Sequence, residues 1–227
     1  GVVARANGMS VLVGAPYKDL KTQRYYNSML SVGLIEATYH KRHLVPFGEY
    51  LPFEWLTRPL LKWLAIPAPS FTPWQEPQAV AGAGTLRLGI TICYEAAFGS
   101  EVIKALPDAT LLVNVSNDAW FGDSLAPLQH LQLTRMRALE SGRFMVRATN
   151  TGVTAIIDPF GQVVARAPQF EVATLRGTVV PMTGLTPYAV MSDWPAIVLV
   201  SVLALFGVFA RKALTGLARM LHKERRS

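Results

Sequence analysis

Leu86, Leu88, Ile90 and Ile92 alternate with Arg87, Gly89 and Thr91, a period of two that predicts a strand with one face on a core. The strand runs into Cys93-Tyr94-Glu95. Phe98-Gly99 then opens a helix expected over 100–106, with Ser100 as N-cap and Glu101 in its first turn. Thr110 to Val115, TLLVNV, is apolar without alternation, as in strands covered on both faces. Strand, helix, strand predicts a crossover that brings Ser116-Asn117-Asp118-Ala119-Trp120 beside the turn at Cys93.

Upstream, VVARANG reads as the end of a helix with Gly8 at C′. Met9 to Gly14 is a short strand closed by Ala15-Pro16. Asn27 to Val32 and Leu34 to His40 are two strands joined near Gly33, with Lys41 at the exit of the second. Downstream, Leu125, Leu128, Met136 and Leu139 predict a helix over 124–141 ended by Gly142. Strands are expected over 144–149, 153–158, 163–166 and 173–180, with Asp158-Pro159-Phe160-Gly161 as a turn.

Two apolar stretches fit this scheme less well. Prolines at 46, 52, 59 and 67 forbid one long helix after Lys41, yet Phe47, Tyr50, Phe53, Trp55, Leu56, Leu60, Leu61, Trp63, Leu64 and Ile66 crowd this segment. Either it is a core helix under a loop, or it is an arm that touches lipid, with Arg58 and Lys62 among interfacial aromatics. Pro, Gly and Ala dominate 67–84, which returns the chain to the central strand. Ala196 to Ala210 carries no charge; Trp194-Pro195 before it and Arg211-Lys212 after it extend it toward the length of a transmembrane helix, with a core helix as the competing reading.

Composition agrees that part of the chain is not in water: 51% of 227 residues are hydrophobic and mean hydropathy is +0.27. The net charge of +7 is lopsided. Six Lys and Arg against Glu224 follow Ala210, so +5 of it lies in the tail. The rest carries no basic field suited to nucleic acid, and the tail favours a cytoplasmic C-terminus by the positive-inside rule. Cys93 is the only cysteine, which excludes an internal disulfide framework and a multi-cysteine zinc site.

A lone cysteine by itself suits a small buried hydrophobe; a thiol at a strand-to-helix turn beside a carboxylate suits a nucleophile. Such a thiol needs a proton acceptor, and a cation or N–H donors for the oxyanion. Glu95 is near in sequence and Lys41 leaves another strand end. His40 and His43 flank Lys41 without either standing out as a Cys partner. His130, with no metal partner at i+4, is expected to be structural. Cys, Lys and Glu therefore fit better than a Cys-His pair.

Tyr39-His40-Lys41-Arg42-His43-Leu44-Val45-Pro46-Phe47-Gly48-Glu49, Ile92-Cys93-Tyr94-Glu95 and Asn114-Val115-Ser116-Asn117-Asp118-Ala119-Trp120-Phe121-Gly122 resemble the nitrilase-type domain of the apolipoprotein N-acyltransferases. Gln129-His130, Arg137-Ala138-Leu139-Glu140 and Arg147-Ala148-Thr149-Asn150 continue the likeness over essentially the whole chain. The resemblance implies an α/β fold, a nitrilase-type αββα sandwich followed by one C-terminal transmembrane helix. The expected divisions are 1–187, a catalytic domain lacking its N-terminal part, 188–212, the transmembrane helix with flanks, and 213–227, a basic cytoplasmic tail.

It also implies a Glu-Lys-Cys triad and a ping-pong reaction. Cys93 would take an acyl chain from a membrane phospholipid as a thioester and pass it to the amino group of a diacylglyceryl-cysteine apolipoprotein. By matching motif, Cys93 is the nucleophile and Lys41 the oxyanion cation. Glu49 is a further essential carboxylate. Glu95 is a candidate catalytic carboxylate or site-shaping neighbour, and Tyr94, Asn117 and Trp120 are candidate substrate-binding residues. No metal or cofactor is implied. The expected location is the bacterial inner membrane, with the catalytic domain on the periplasmic side.

The family's general-base Glu lies well upstream of the KxxLVPFGE motif, and so do several transmembrane helices, so the 227 residues alone are expected not to form an acyl-enzyme. Thr151 stands where a second Asn is expected. Two other readings compete: a nitrilase-superfamily amidase acting on a small amide, and an inactive fragment kept as a binding module.

Overall fold

A computed structural model of the chain describes residues 1–64 and 71–224, with backbone alone from 212 onward. Ile66, the start of the 67–84 return and the cationic side chains from Lys212 to Arg226 lie outside the described residues. Two units separate, 1–189 and 190–227.

The first unit holds two sheets. After α1 (Val2–Ala6), β1 (Ser10–Lys18), β2 (Tyr25–Gly33) and β3 (Ala37–His40) form an antiparallel three-stranded sheet, with Val13 opposite Leu30 and Met29 opposite Tyr39. The expected stop at Ala15-Pro16 does not occur. Pro16 continues β1 opposite Asn27, tolerated because β1 is the sheet's edge strand and an edge needs no further N–H. Gly33 turns the chain between β2 and β3 at φ 118°, where a Cβ would stand 2.2 Å from the Met9 carbonyl oxygen, so only glycine fits.

After α2 (Glu54–Trp63), the second sheet has six strands in sequence order: β4 (Ala81–Ala83), β5 (Leu86–Ile92), β6 (Leu111–Asn117), β7 (Met145–Asn150), β8 (Ala155–Ile157) and β9 (Val163–Arg166). β5, β6 and β7 are parallel, with Ile90 beside Val113 and Asn114 beside Arg147; the outer pairings are antiparallel. Met29 and Ile35 pack between the sheets on Leu88, Ile92, Leu111 and Val113. On the opposite face, Leu112, Met145 and Ile157 meet Leu131 and Ala138 of α4 (Ala126–Ser141) and Val102 of α3 (Gly99–Val102). That double cover explains the unbroken apolar run of β6, where Leu111 through Asn114 are all buried. The fold is thus a nitrilase-like α/β arrangement with helix on one sheet and sheet on sheet.

Three expectations differ in detail. The helix over 100–106 is broken into α3 and a 3₁₀ turn over Ile103–Ala105. Its N-cap position is Phe98, not Ser100. No strand forms over 173–180: the segment lies over the sandwich with Val179 against the inter-sheet core and is followed by one backbone bond, Met182 N–H to the Thr110 carbonyl at 2.9 Å. Of its β-branched residues only Val179 is used for covering; Thr174, Thr178 and Val180 are exposed.

α2 has no buried residue, and Trp55 and Trp63 are 78% and 81% exposed, which removes the core-helix reading. α5 (Pro187–Met191) precedes α6 (Trp194–Glu224), whose backbone stays helical past 212 into the segment expected as a tail. Trp194–Arg211 has mean hydropathy 2.0 with none of the window buried. It is one helix long and apolar enough to cross a membrane.

Candidate active site

Parallel strands carry their ligand-facing groups at their carboxyl ends. β5 ends at Ile92, and the next residue, Cys93, adopts φ 52°, the left-handed region that costs a side-chain-bearing residue about 1–3 kcal/mol and persists only where surroundings over-determine it. Cys93 is half-buried and begins a 3₁₀ turn through Ala97. The chain thus turns sharply at its only thiol.

Two carboxylates fix this region from opposite sides. Glu95, in the Cys93 turn, is buried. Its Oε1 accepts the N–H groups of Arg42 (2.6 Å) and His43 (3.4 Å), and its Oε2 accepts Ile92 N–H (2.8 Å) and Tyr39 O–H (3.1 Å). Burial pushes the Glu95 carboxyl up, against those N–H bonds and the Lys41 charge. The same desolvation, with Glu95 beside it, pushes the Tyr39 phenol far up and keeps it a donor. Four donors occupy the four lone-pair positions of a carboxylate. Glu95 therefore clamps the loop after Lys41 onto the end of β5, and has no free position for a proton from Cys93.

Glu49 holds the cation. Lys41, directly after β3, is fully buried, and its Nζ donates to Glu49 Oε2 at 2.7 Å. Val45 N–H (2.7 Å) also reaches Oε2, and Asn27 Nδ2 of β2 donates to Oε1 (2.6 Å). An ammonium carries three protons. Among the described residues Glu49 takes one of them.

Behind Cys93 lies a cluster in which Asp118, expected beside this turn, joins His130, expected to be structural, to Arg147; their mutual contact was not foreseen. Asp118, just past β6, is 1% exposed; its Oδ2 accepts Arg147 Nη2 at 2.8 Å, and its Oδ1 accepts Ser116 Oγ at 2.6 Å. His130 of α4 places Nδ1 3.1 Å from Asp118 Oδ1 and Nε2 3.0 Å from the Cys93 carbonyl oxygen. Burial would raise the Asp118 carboxyl, but hydrogen bonds from His130 and Ser116 and the Arg147 charge outweigh it and hold it below the usual range. Arg147 also donates to Asn114 Oδ1 and, at 3.2 Å, to the Val153 carbonyl. Asn114 Nδ2 donates to Thr91 Oγ1 at 3.0 Å. The circuit leaves β5 at Thr91 and returns two residues later at Cys93. The available signal was spacing: Asp118 and His130 are twelve apart, and only the turn between β6 and α4 folds them together.

The remaining expected residues sit nearer solvent. Tyr94 is exposed, edge-on to Phe98 at 5.0 Å, and lines an opening of about 400 Å³ with Arg42, His43, Pro46 and Tyr50. Asn117 uses its Oδ1 within its own turn, accepting Ala119 N–H at 3.1 Å. Trp120 is 89% exposed. Thr151 sits at φ 59°, a conformation that Asn adopts readily and a β-branched residue only under strain, which fits the Asn expected there. Gly152 follows because a Cβ would stand 2.2 Å from Asp118 Oδ2.

A strand-end thiol in a left-handed turn, a buried Lys-Glu pair and a two-sheet α/β frame define a thiol-dependent nitrilase-type site. The family model described as carbon-nitrogen hydrolase matches residues 2–188, and the chain belongs to that family. Among curated relatives it is 53% identical over 194 residues to the apolipoprotein N-acyltransferase of Methylococcus capsulatus (strain ATCC 33009 / NCIMB 11132 / Bath), covering 86% of this chain and 38% of the relative. It is 42% identical over 215 residues to that of Pseudomonas aeruginosa (strain LESB58), covering 93% and 42%. The chain spans about two fifths of the length of these relatives. The Caenorhabditis elegans NitFhit protein superposes with TM-score 0.55 at 22% identity, covering 74% of this chain and 42% of that one. Saccharomyces cerevisiae Nit3, a member of branch 10 of the nitrilase superfamily, gives 0.54 at 18%, covering 74% and 59%. At such identity these two structures speak for the fold alone.

The depressed Asp118 carboxyl sets a pH test. Its stabilising contribution is fully present above the ordinary carboxylate pKa of about 3.9 and is lost as pH falls through the lower folded value. Asp118→Asn should cost about 3–5 kcal/mol near neutrality, the range for breaking a buried ion pair. Thermal melts of the two proteins should converge below about pH 4. A gap that persists undiminished at pH 3 would contradict the ion-pair account.

Proposed function

We propose that this chain is the catalytic portion of a membrane-bound N-acyltransferase of the apolipoprotein type. Cys93 is the nucleophile: its thiolate attacks the ester carbonyl of a phospholipid acyl chain, the C–S bond forms, and the ester C–O bond breaks as the lysophospholipid alcohol leaves with a proton. The α-amino nitrogen of a diacylglyceryl-cysteine lipoprotein then attacks the thioester carbonyl. The C–N bond forms, the amine gives up its proton, and the C–S bond breaks to restore the thiol. Lys41 stabilises the oxyanion of both steps, with Glu49 holding its ammonium in place.

Glu95 is a positioning residue, its four acceptor positions being engaged. The acids before Lys41 are no better suited as base: Asp19 accepts from Lys21 N–H and Thr22 within its own turn, and Glu36 pairs with Arg5 at the surface. For the base we keep the glutamate upstream of the KxxLVPFGE motif that the family resemblance implies. The names of the relatives support the acyl acceptor. Tyr94, Trp120 and Asn117 are assigned to substrate binding, Tyr94 at the opening it lines with Arg42, His43, Pro46 and Tyr50.

One observation favours this reading over an amidase for a small soluble amide: α2 exposes Trp55, Leu56, Leu60 and Trp63 together, beside the loop that carries Lys41 and Glu49. Such an apolar, aromatic surface suits a lipid interface and serves no water-soluble substrate. Our reading puts the protein in the bacterial inner membrane, the catalytic unit on the periplasmic side and the C-terminus in the cytoplasm, because Arg211 and the cations after it follow the apolar helix.

Two tests bear on this. With a phospholipid carrying a tagged acyl chain, the wild-type enzyme should gain a hydroxylamine-labile label that Cys93→Ser lacks, since an alcohol is a far poorer nucleophile near neutral pH. Lys41→Ala should slow labelling by about 10²–10³, and Lys41→Arg should not restore it because a planar guanidinium does not replace a compact ammonium. Equal labelling of the Ser variant, or release of ammonia from small amides in place of labelling, would overturn the assignment. For topology, a reporter fused after Ser227 should be active only if it works in the cytoplasm; activity of a strictly periplasmic reporter there would reverse the orientation.

A further inference from the structure

His130 faces an acceptor at each ring nitrogen. The Cys93 carbonyl oxygen, 3.0 Å from Nε2, can only accept; the Asp118 carboxylate, 3.1 Å from Nδ1 and ionised by its pairing with Arg147, can only accept as well. A neutral imidazole has one N–H and one bare lone pair. In either tautomer one of these two contacts would set lone pair against lone pair at a buried site, where an unmade hydrogen bond costs most. Only the imidazolium satisfies both.

We propose that His130 stands as an imidazolium, both nitrogens donating, and that it is the positioning residue that fixes the Cys93 carbonyl and with it the left-handed turn presenting the thiol. The charged groups around it are few. Asp118, from the end of β6, lies between His130 on α4 and Arg147 on β7. Glu95, in the Cys93 turn, is occupied by its own four donors. On α4 itself Arg137 pairs with Glu140 at 2.7 Å. Ligand atoms of Cys93, Asp118 and His130 lie within 4.8 Å of one another, a set that could hold a metal ion by residue type. With both ring nitrogens donating, His130 has no lone pair to offer one, and the set is an ion-pair array behind the nucleophile. The inference rests on Cys93 being the nucleophile proposed above, and on nothing about the acyl donor or acceptor.

The test is spectroscopic first. Long-range ¹H–¹⁵N spectra of ¹⁵N-histidine-labelled protein, solubilised in detergent at neutral pH, should show protons on both nitrogens of the ring whose signals vanish in His130→Gln. A bare nitrogen at His130 would overturn the proposal. The second measurement is the rate of Cys93 alkylation by iodoacetamide. Glutamine can keep one donor but no second bond and no charge, so His130→Gln should slow alkylation about tenfold to a hundredfold, the range for a misplaced reacting group. Alkylation at the wild-type rate would overturn the positioning role. If the variant fails to fold, the wild-type spectrum still decides. If wild-type Cys93 is no more reactive than an ordinary thiol while both His130 nitrogens are protonated, it is the nucleophile assignment that falls.

Discussion

The site depends on one buried carboxylate. Asp118 joins the end of β6 to β7 through Arg147 and to α4 through His130, and by way of His130 reaches the backbone of Cys93. A lone charge at that depth would be costly enough to neutralise itself. Flanked by donors it becomes a fixed point from which three elements take their relative positions. A left-handed cysteine needs such a fixed point, because the turn is uphill by itself and relaxes wherever the surroundings allow it. Gly152 is part of the same constraint, since a side chain there would enter the space of the Asp118 carboxylate.

Three carboxylates in this site do three kinds of work, and environment separates them. Glu95 accepts four bonds and ties the Lys41 loop to the Cys93 turn, so two strand ends from different sheets move as one. Glu49 meets one ammonium and two N–H donors and fixes where the cation points. Asp118 is shared between two cations. Sequence proximity alone made Glu95 the natural candidate for chemistry, being two residues from the thiol; its hydrogen bonds make it a clamp.

The strands that carry the site were legible because their patterns are extreme. β5 alternates, and β6 does not because α4 covers one of its faces and the other sheet covers the other. Gly142 and Gly8 ended their helices where their residue type requires, at φ 63° and 65°. The strand expected over 173–180 was misread because Val and Thr serve equally for pairing and for covering, and composition does not tell these apart. Pro16 was misread as a terminator because edge position is a property of the sheet, invisible in the strand. At the site, motif and strand ends marked Lys41, Glu49 and Cys93, whereas His130 was expected to be structural without any partner in view. Its role comes from a tertiary contact with a carbonyl 37 residues away, and no local pattern encodes that.

α2, a ten-residue helix with no buried side chain and a proline at position 59, lacks what usually stabilises so short a helix, since isolated helices of that length are marginal in water and draw their stability from packing of an apolar face. Here the apolar face is present, and among the described residues none of its side chains is buried. Each Leu or Trp left in water forgoes about 1.5–3 kcal/mol that burial would return, and Trp55, Leu56, Leu60 and Trp63 forgo it together. In the proposed function a lipid interface would supply the missing cover and leave Arg58 and Lys62 to meet headgroups. The membrane would then order the arm, as the fold orders the charged cluster around Asp118. An enzyme that moves an acyl chain onto a thiol needs both: a surface that accepts hydrocarbon, and behind the sulfur an array of charges that water and lipid do not disturb.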